Sequence, residues 1–165
     1  MRIEFSIMNN RDEIAGLITA LDKMAPAGMA LGLHIAFTAP RFMIQTYPRK
    51  WLEIYNAKGL LYHDPVVQWG FQNNGTIRWR ELAEDDPKDV MGQASRFGMT
   101  HGVMVALSSS NIRSFGGFAR SDRDFLDVEI DELESIVNQL HHATEHMSDE
   151  DIQALRDMSD RLTRG

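Results

Sequence analysis

Two pairs of short strand-like runs constrain this chain's fold more than any other feature. The first pair is LGLHIAFTA (31–39) and RFMIQTY (41–47); the second is GVMVALSSS (102–110) and RSFGGFAR (113–120). The first two runs meet at Pro40, which reads as a hairpin or tight corner, and the second two are joined around Asn111. Helical patterns surround them. Asn10–Glu13 resembles a capping box, and Ile14, Leu17, Ile18 and Leu21 follow at helical spacing up to a break at Pro26–Gly28. Asp86–Asp89 opens a helix carrying Val90, Met91, Ala94 and Phe97, with Gly98 as its stop. Ser121–Asp124 starts the longest helix, striped by Leu126, Ile130, Leu133, Val137 and Leu140. TIRW (76–79), after the Asn73–Gly75 turn, is one more short strand or extended segment. This order predicts an antiparallel sheet with helices packed on its faces.

Between the two pairs lies YPRKWLEIYNAKGLLYHDPVVQW (47–69). Tyr47, Trp51 and Tyr55 recur every four residues, Pro48 suits a helix start and Gly59 a helix end. Trp51 and Tyr55 therefore share one helix face, with Tyr47 at its entry. Asp64-Pro65 opens a second short turn bearing Val66, Val67 and Trp69. Each aromatic residue here has an apolar body, Tyr and Trp add one polar tip, and an ionised Asp64 is an acceptor. Such a set can line a pocket for a mostly apolar ligand with a few polar atoms at one end. Taken alone, an aromatic stripe at this spacing reads first as core.

Composition removes several function classes. The chain has 165 residues, 43% hydrophobic and 25% charged, enough for one ordinary globular core. Its 17 basic and 24 acidic residues give a net charge of −7, a poor match for phosphate backbones. Without cysteine it has no disulfide, thiolate nucleophile or cysteine zinc site. Residues 1–8 show no leader pattern, and no apolar run reaches the roughly 20 residues of a membrane span. The expected address is the cytoplasm, with no membrane partner.

Tyr47-Pro48, Trp51, Tyr55, Asp64-Pro65-Val66, Trp79 and the glycines of FGMTHG (97–102) together form a specific pattern. In it, residues 10–145 resemble the signal-binding domain of LuxR-type quorum-sensing regulators, which bind N-acyl homoserine lactones. The resemblance implies an α-β-α sandwich, a central antiparallel sheet of about five strands with helices on both faces, and the lactone buried between sheet and one helical layer. It implies a non-enzymatic receptor with no cofactor. Trp51 would donate its indole N–H to the lactone carbonyl, Asp64 would accept the ligand amide N–H, and Tyr47 would bond the acyl carbonyl. Tyr55 and Trp79 would wall the acyl chain and lactone ring, with Val66 beside them. The family often has a serine or threonine in the last strand; here that position aligns with Ala119, next to Arg120, which either replaces the missing donor or points to solvent. The proline common in the preceding strand is Ala106. Both departures bear on acyl-chain preference.

Family members continue into a helix-turn-helix, whereas MSDEDIQALRDMSDRLTRG (147–165) resembles only its first helix and turn. The expected division is an autoinducer-binding domain over 1–147 and, over 148–165, a linker and the incomplete start of a DNA-binding domain. Lacking the recognition helix, the chain alone should not bind DNA. It is either a fragment of a regulator, acting as a homodimer, or a short form that antagonises a full-length regulator by heterodimerising with it. A third class comes from His142, Glu145 and His146, which fit the H-x-x-E-H spacing of a zinc hydrolase. A solvated helix end explains the same residues more simply. His34 and His101 read as structural, and Ser108–Ser110 as a loop.

Overall fold

The computed structural model describes residues 2–37 and 39–165, with side chains from residue 10 onward. The expectation for residues 1–8, and residue 38 of the first strand-like run, lie outside the described side chains. Five strands form one antiparallel sheet: β1 (Gly28–Ala36), β2 (Ala39–Gln45), β3 (Gly75–Arg78), β4 (His101–Ser109) and β5 (Ile112–Arg120). Their order is β2-β1-β5-β4-β3, so both expected pairs are adjacent and join through β1 and β5. Pro40 does not make the corner. It pairs with Ile35 inside β2, where an edge strand tolerates its missing N–H.

Helices cover both faces. On one lie α1 (Arg2–Met24), α5 (Asp127–Ala143) and α6 (Asp149–Leu162); on the other, α2 (Arg49–Ala57), α3 (Pro65–Gln72) and α4 (Val90–Ser95). The two apolar clusters are sorted by strand alternation. Val103 and Val105 face α1 and α5, while Met104 and Ala106 face the opposite layer. In β1 the alternation breaks. The register against β5 shifts between Gly32 and Ile35, and His34 takes a left-handed φ of 54°. This bulge turns Ile35 away from the cluster that holds Leu31 and Leu33 and into the other.

Helix boundaries depart from the sequence reading in two places. The α1 helix starts at Arg2, so Asn10–Glu13 is not a cap but an exposed mid-helix stretch; Ile14, Ile18 and Leu21 are buried as expected. The α5 helix starts at Asp127, not at Ser121–Asp124, because Arg123 and Asp124 are committed elsewhere. Arg123 pairs with Glu129 at 2.7 Å, and Asp124 with Arg78 and Arg80 at 3.1 and 3.0 Å. Leu126 is consequently exposed, and the stripe proper is Ile130, Leu133, Val137 and Leu140.

In α6, Ser148 caps the helix and Ile152 and Leu155 are buried in the cluster of α1, α5 and the sheet. Its far end is tied to the end of β2. Ser159 Oγ accepts from Gln45 N–H, Thr163 Oγ1 donates to Gln45 O, and Arg164 N–H donates to Thr46 O at 3.0 Å. Arg164 also forms an ion pair with Asp22.

Under α5 lies a buried polar network. His141 is fully buried, with Ser114 Oγ 2.7 Å from Nδ1 and Ser109 Oγ 2.7 Å from Nε2. Ser108 and Ser109 thus belong to β4 rather than a loop. The His34 ring stacks on His141 at 4.7 Å and 17°, and its Nε2 lies 2.9 Å from Thr144 Oγ1. Burial, then the neighbouring His34 and His142, push His141 from 6.5 down to about 4, and burial also lowers His34. Glu145 opposes both shifts; Arg41 and His142 add to that of His34. A histidine neutral when folded but protonated when unfolded leaves stability intact above about pH 6.5 and drains it as pH falls toward about 4. Melting temperature should therefore drop across that window, and His141→Gln should flatten the drop. An equally steep profile in the variant would assign it to other groups.

Candidate ligand-binding site

Between the sheet and the α2–α4 layer is a cavity of about 550 Å³. Its polar wall comes from the 47–69 stretch. Pro48 immediately precedes α2, and Gly59, at φ 60°, ends the segment behind it. Trp51 and Tyr55 project from one face of α2 with rings 5.7 Å apart, edge to face, and Trp51 also packs 5.8 Å from Phe97. Asp64 caps α3 with Pro65 in its first turn. Its Oδ1 accepts from Val66 N–H at 3.0 Å and its Oδ2 from the Tyr55 hydroxyl at 2.8 Å. Asp64 is thereby held by helix capping and by α2 at once.

Burial pushes the Asp64 carboxyl up from its ordinary range, against the opposing pull of the Tyr55 and Val66 hydrogen bonds. Burial and the nearby Asp64 also push the Tyr47 and Tyr55 hydroxyls up, so both stay protonated donors. Trp79 closes the cavity from the end of β3, its ring flat on Gly102, where a Cβ would sit 2.0 Å from the indole Cδ2. Only glycine permits this approach. The remaining wall is apolar apart from Gln45 and includes Ile35, Met99, Met104 and Phe115. At the mouth, Met43, Leu61, Tyr62 and Phe71 line the cavity and are also exposed.

A family model described as "Autoinducer binding domain" matches residues 27–146. The chain belongs to the LuxR-type autoinducer-binding domains. It is 30% identical over 88 residues to the transcriptional activator protein LuxR of Aliivibrio fischeri, covering 50% of this chain and 35% of that one. The chain spans between a third and a half of the length of the curated relatives it matches, 35% and 42% for the first two. Those relatives are transcriptional activators, not enzymes. The same fold occurs in the N-acylhomoserine lactone dependent LuxR family transcription factor CepR2 from Burkholderia cenocepacia, with a TM-score of 0.54, 20% identity, and 70% and 71% of the two chains covered. It also occurs in SdiA solved in complex with octanoyl-rac-glycerol, with a TM-score of 0.61, 19% identity, and coverage of 93% and 71%.

In this autoinducer-binding domain Tyr47, Trp51, Tyr55, Asp64, Val66 and Trp79 all line this same cavity. Ala119 does not. It is fully buried at the end of the sheet, paired with Gly28 and Gly102, and the β5 residues in the wall are Phe115 and Gly117. Arg120 neither enters the cavity nor points free to solvent. It pairs with Asp122 at 3.0 Å and Glu129 at 3.8 Å, 5.8 Å above the Phe125 ring. Sequence reasoning missed Ile35, because no pattern announces the His34 bulge. Met104 and Gly117 were more accessible: alternation in β4 and the Gly116-Gly117 pair both point at them. His142 Nδ1 lies 3.2 Å from Glu145 Oε1 on an exposed helix end, and no cluster of metal-ligating side chains occurs among the described residues. No helix among the described residues is long and apolar enough to cross a membrane.

Proposed function

We propose that this domain is a receptor for an N-acyl homoserine lactone. The observation that carries the reading is that Tyr47, Trp51 and Asp64 all line one mainly apolar cavity, with Trp51 and Asp64 both beside Tyr55. A lactone with an amide-linked chain presents two carbonyl acceptors and one N–H donor at its head, then a long apolar tail. Trp51 donates to the lactone carbonyl, Tyr47 to the acyl carbonyl, and Asp64 accepts the amide N–H through lone pairs left free by Val66 and Tyr55. A buried amide left unpaired loses about 1–3 kcal/mol, which sets the selectivity. The lactone dependence of CepR2 supports this ligand class. An acylglycerol, the ligand class of SdiA's complex, lacks the amide N–H and can answer Asp64 only through a glycerol hydroxyl.

Thermal stability against a panel of lactones differing in acyl length and 3-substituent tests the reading, with octanoyl-rac-glycerol as the comparator. A ligand at a hundredfold excess over Kd stabilises by about 2.7 kcal/mol, roughly 5–10 °C for a domain of this size. At least one lactone should produce that shift and exceed the glycerol ester. No shift with any lactone sinks the proposal. As a further part of it, the domain joins a second copy or a full-length regulator. Light scattering with and without lactone, alone and mixed with a full-length LuxR-type regulator, tests that part: a monomer under every condition would overturn it.

A further inference from the structure

Trp79 has one hydrogen-bond donor, the indole N–H, and among the described residues nothing accepts it. The side chain is only 7% exposed, so bulk water does not reach it freely. Orphaned buried donors are rare in native proteins, and one in a cavity wall points to a ligand acceptor. The ring's placement says where that acceptor sits. With its face on Gly102, the indole extends across the sheet to Gly117 on the neighbouring strand. A Cβ on Gly117 would lie 3.2 Å from Trp79 Cζ2 and 3.7 Å from Nε1, and 2.8 Å from the Tyr47 hydroxyl oxygen. Two donors from different elements therefore surround one bare spot of backbone. Gly117 pairs with Met104 and Ala30, both cavity residues, so this spot belongs to the cavity floor. Asp64, the carboxylate in the cavity lining, is not within hydrogen-bond reach of the indole N–H. What fits between two donors above bare backbone is an oxygen with two lone pairs.

We propose that Trp79 binds the ligand directly: its indole N–H and the Tyr47 O–H hydrogen-bond the same acyl carbonyl oxygen above Gly117. This rests on the lactone-receptor reading and extends it, since there Trp79 serves only as a wall. It also explains how the last strand dispenses with a hydroxyl side chain. The bare Gly117 lets donors from outside the sheet reach the carbonyl.

The test replaces Trp79 by 3-benzothienylalanine, which keeps the bicyclic outline and puts sulfur in place of N–H. Affinity is measured for the tightest lactone of the panel and for its thioamide counterpart, whose sulfur is a weaker acceptor. The oxygen ligand should lose roughly 5- to 30-fold in the variant and the thioamide much less. In the unmodified protein, which has three tryptophans, the Trp79 indole proton should move downfield in nitrogen-15 NMR on adding the lactone. Equal losses for both ligands, no loss, or an unmoved indole proton would each overturn the assignment. The NMR arm keeps it falsifiable even if the variant does not fold. An unmodified protein that binds no lactone overturns the receptor reading first, and this assignment with it.

Discussion

Adding a single methyl group at Gly102 should cost about 2–3 kcal/mol of stability and weaken lactone binding at the same time. The new Cβ would lie 2.0 to 2.3 Å from three carbons of the Trp79 ring. No rotamer change of the added methyl relieves this, so the ring itself must leave the sheet. Trp79 is buried and forms one end of the cavity, so its displacement both opens the core and removes a wall. Chemical denaturation and ligand titration of Gly102→Ala read the two losses. The cause is checked by a cycle with Trp79→Leu, whose smaller side chain accommodates the methyl. In that background Gly102→Ala should cost at least 1 kcal/mol less. Strictly additive costs would show that the indole is not what the methyl strikes.

Asp64→Asn should separate binding from stability. The ligand amide loses a charged acceptor, about 1.5–3 kcal/mol or roughly 10- to 150-fold in Kd. The empty domain behaves in the opposite sense. Burial raises the folded-state pKa of Asp64, so the folded form holds its proton more tightly than the unfolded chain. Such a group sheds stability as pH rises from the unfolded-state value toward the raised folded-state one. Asparagine removes that cost and still caps α3 by accepting from Val66 N–H. The ligand-free variant should therefore melt no lower than the parent at pH 7, and show a smaller loss of stability as pH rises above about 4. A variant that binds lactone as tightly as the parent would remove Asp64 from the site. One that melts several degrees lower would mean the buried charge is stabilising.

Much of this was legible from residue order. Proximity along the chain chose the strand partners, and the i, i+4 aromatics with Asp64-Pro65 marked one cavity wall. What could not be read was local backbone irregularity and competition for side chains. The His34 bulge inverts the alternation of β1 and brings Ile35 to the cavity. Pro40 looked like a corner because an edge strand and a turn both accept proline. Asp124 looked like a helix start until Arg78 and Arg80 drew it into ion pairs. Ala119 was placed in the site by alignment alone. Its neighbour two positions earlier, Gly117, belongs to a glycine pair that marks a close approach, and what approaches it is Trp79 and Tyr47.

The exposed apolar mouth has a consequence for handling the protein. Met43, Leu61, Tyr62 and Phe71 are each 37–79% exposed around a cavity whose walls are mainly apolar. Unfilled, this rim is the kind of surface through which copies adhere to one another, more so as they become concentrated. A tail long enough to reach the mouth would cover it from within, so the signal would act as a solubiliser as well as an effector. Chain length would then be read twice, once as affinity and once as the highest concentration at which the domain stays clear in solution.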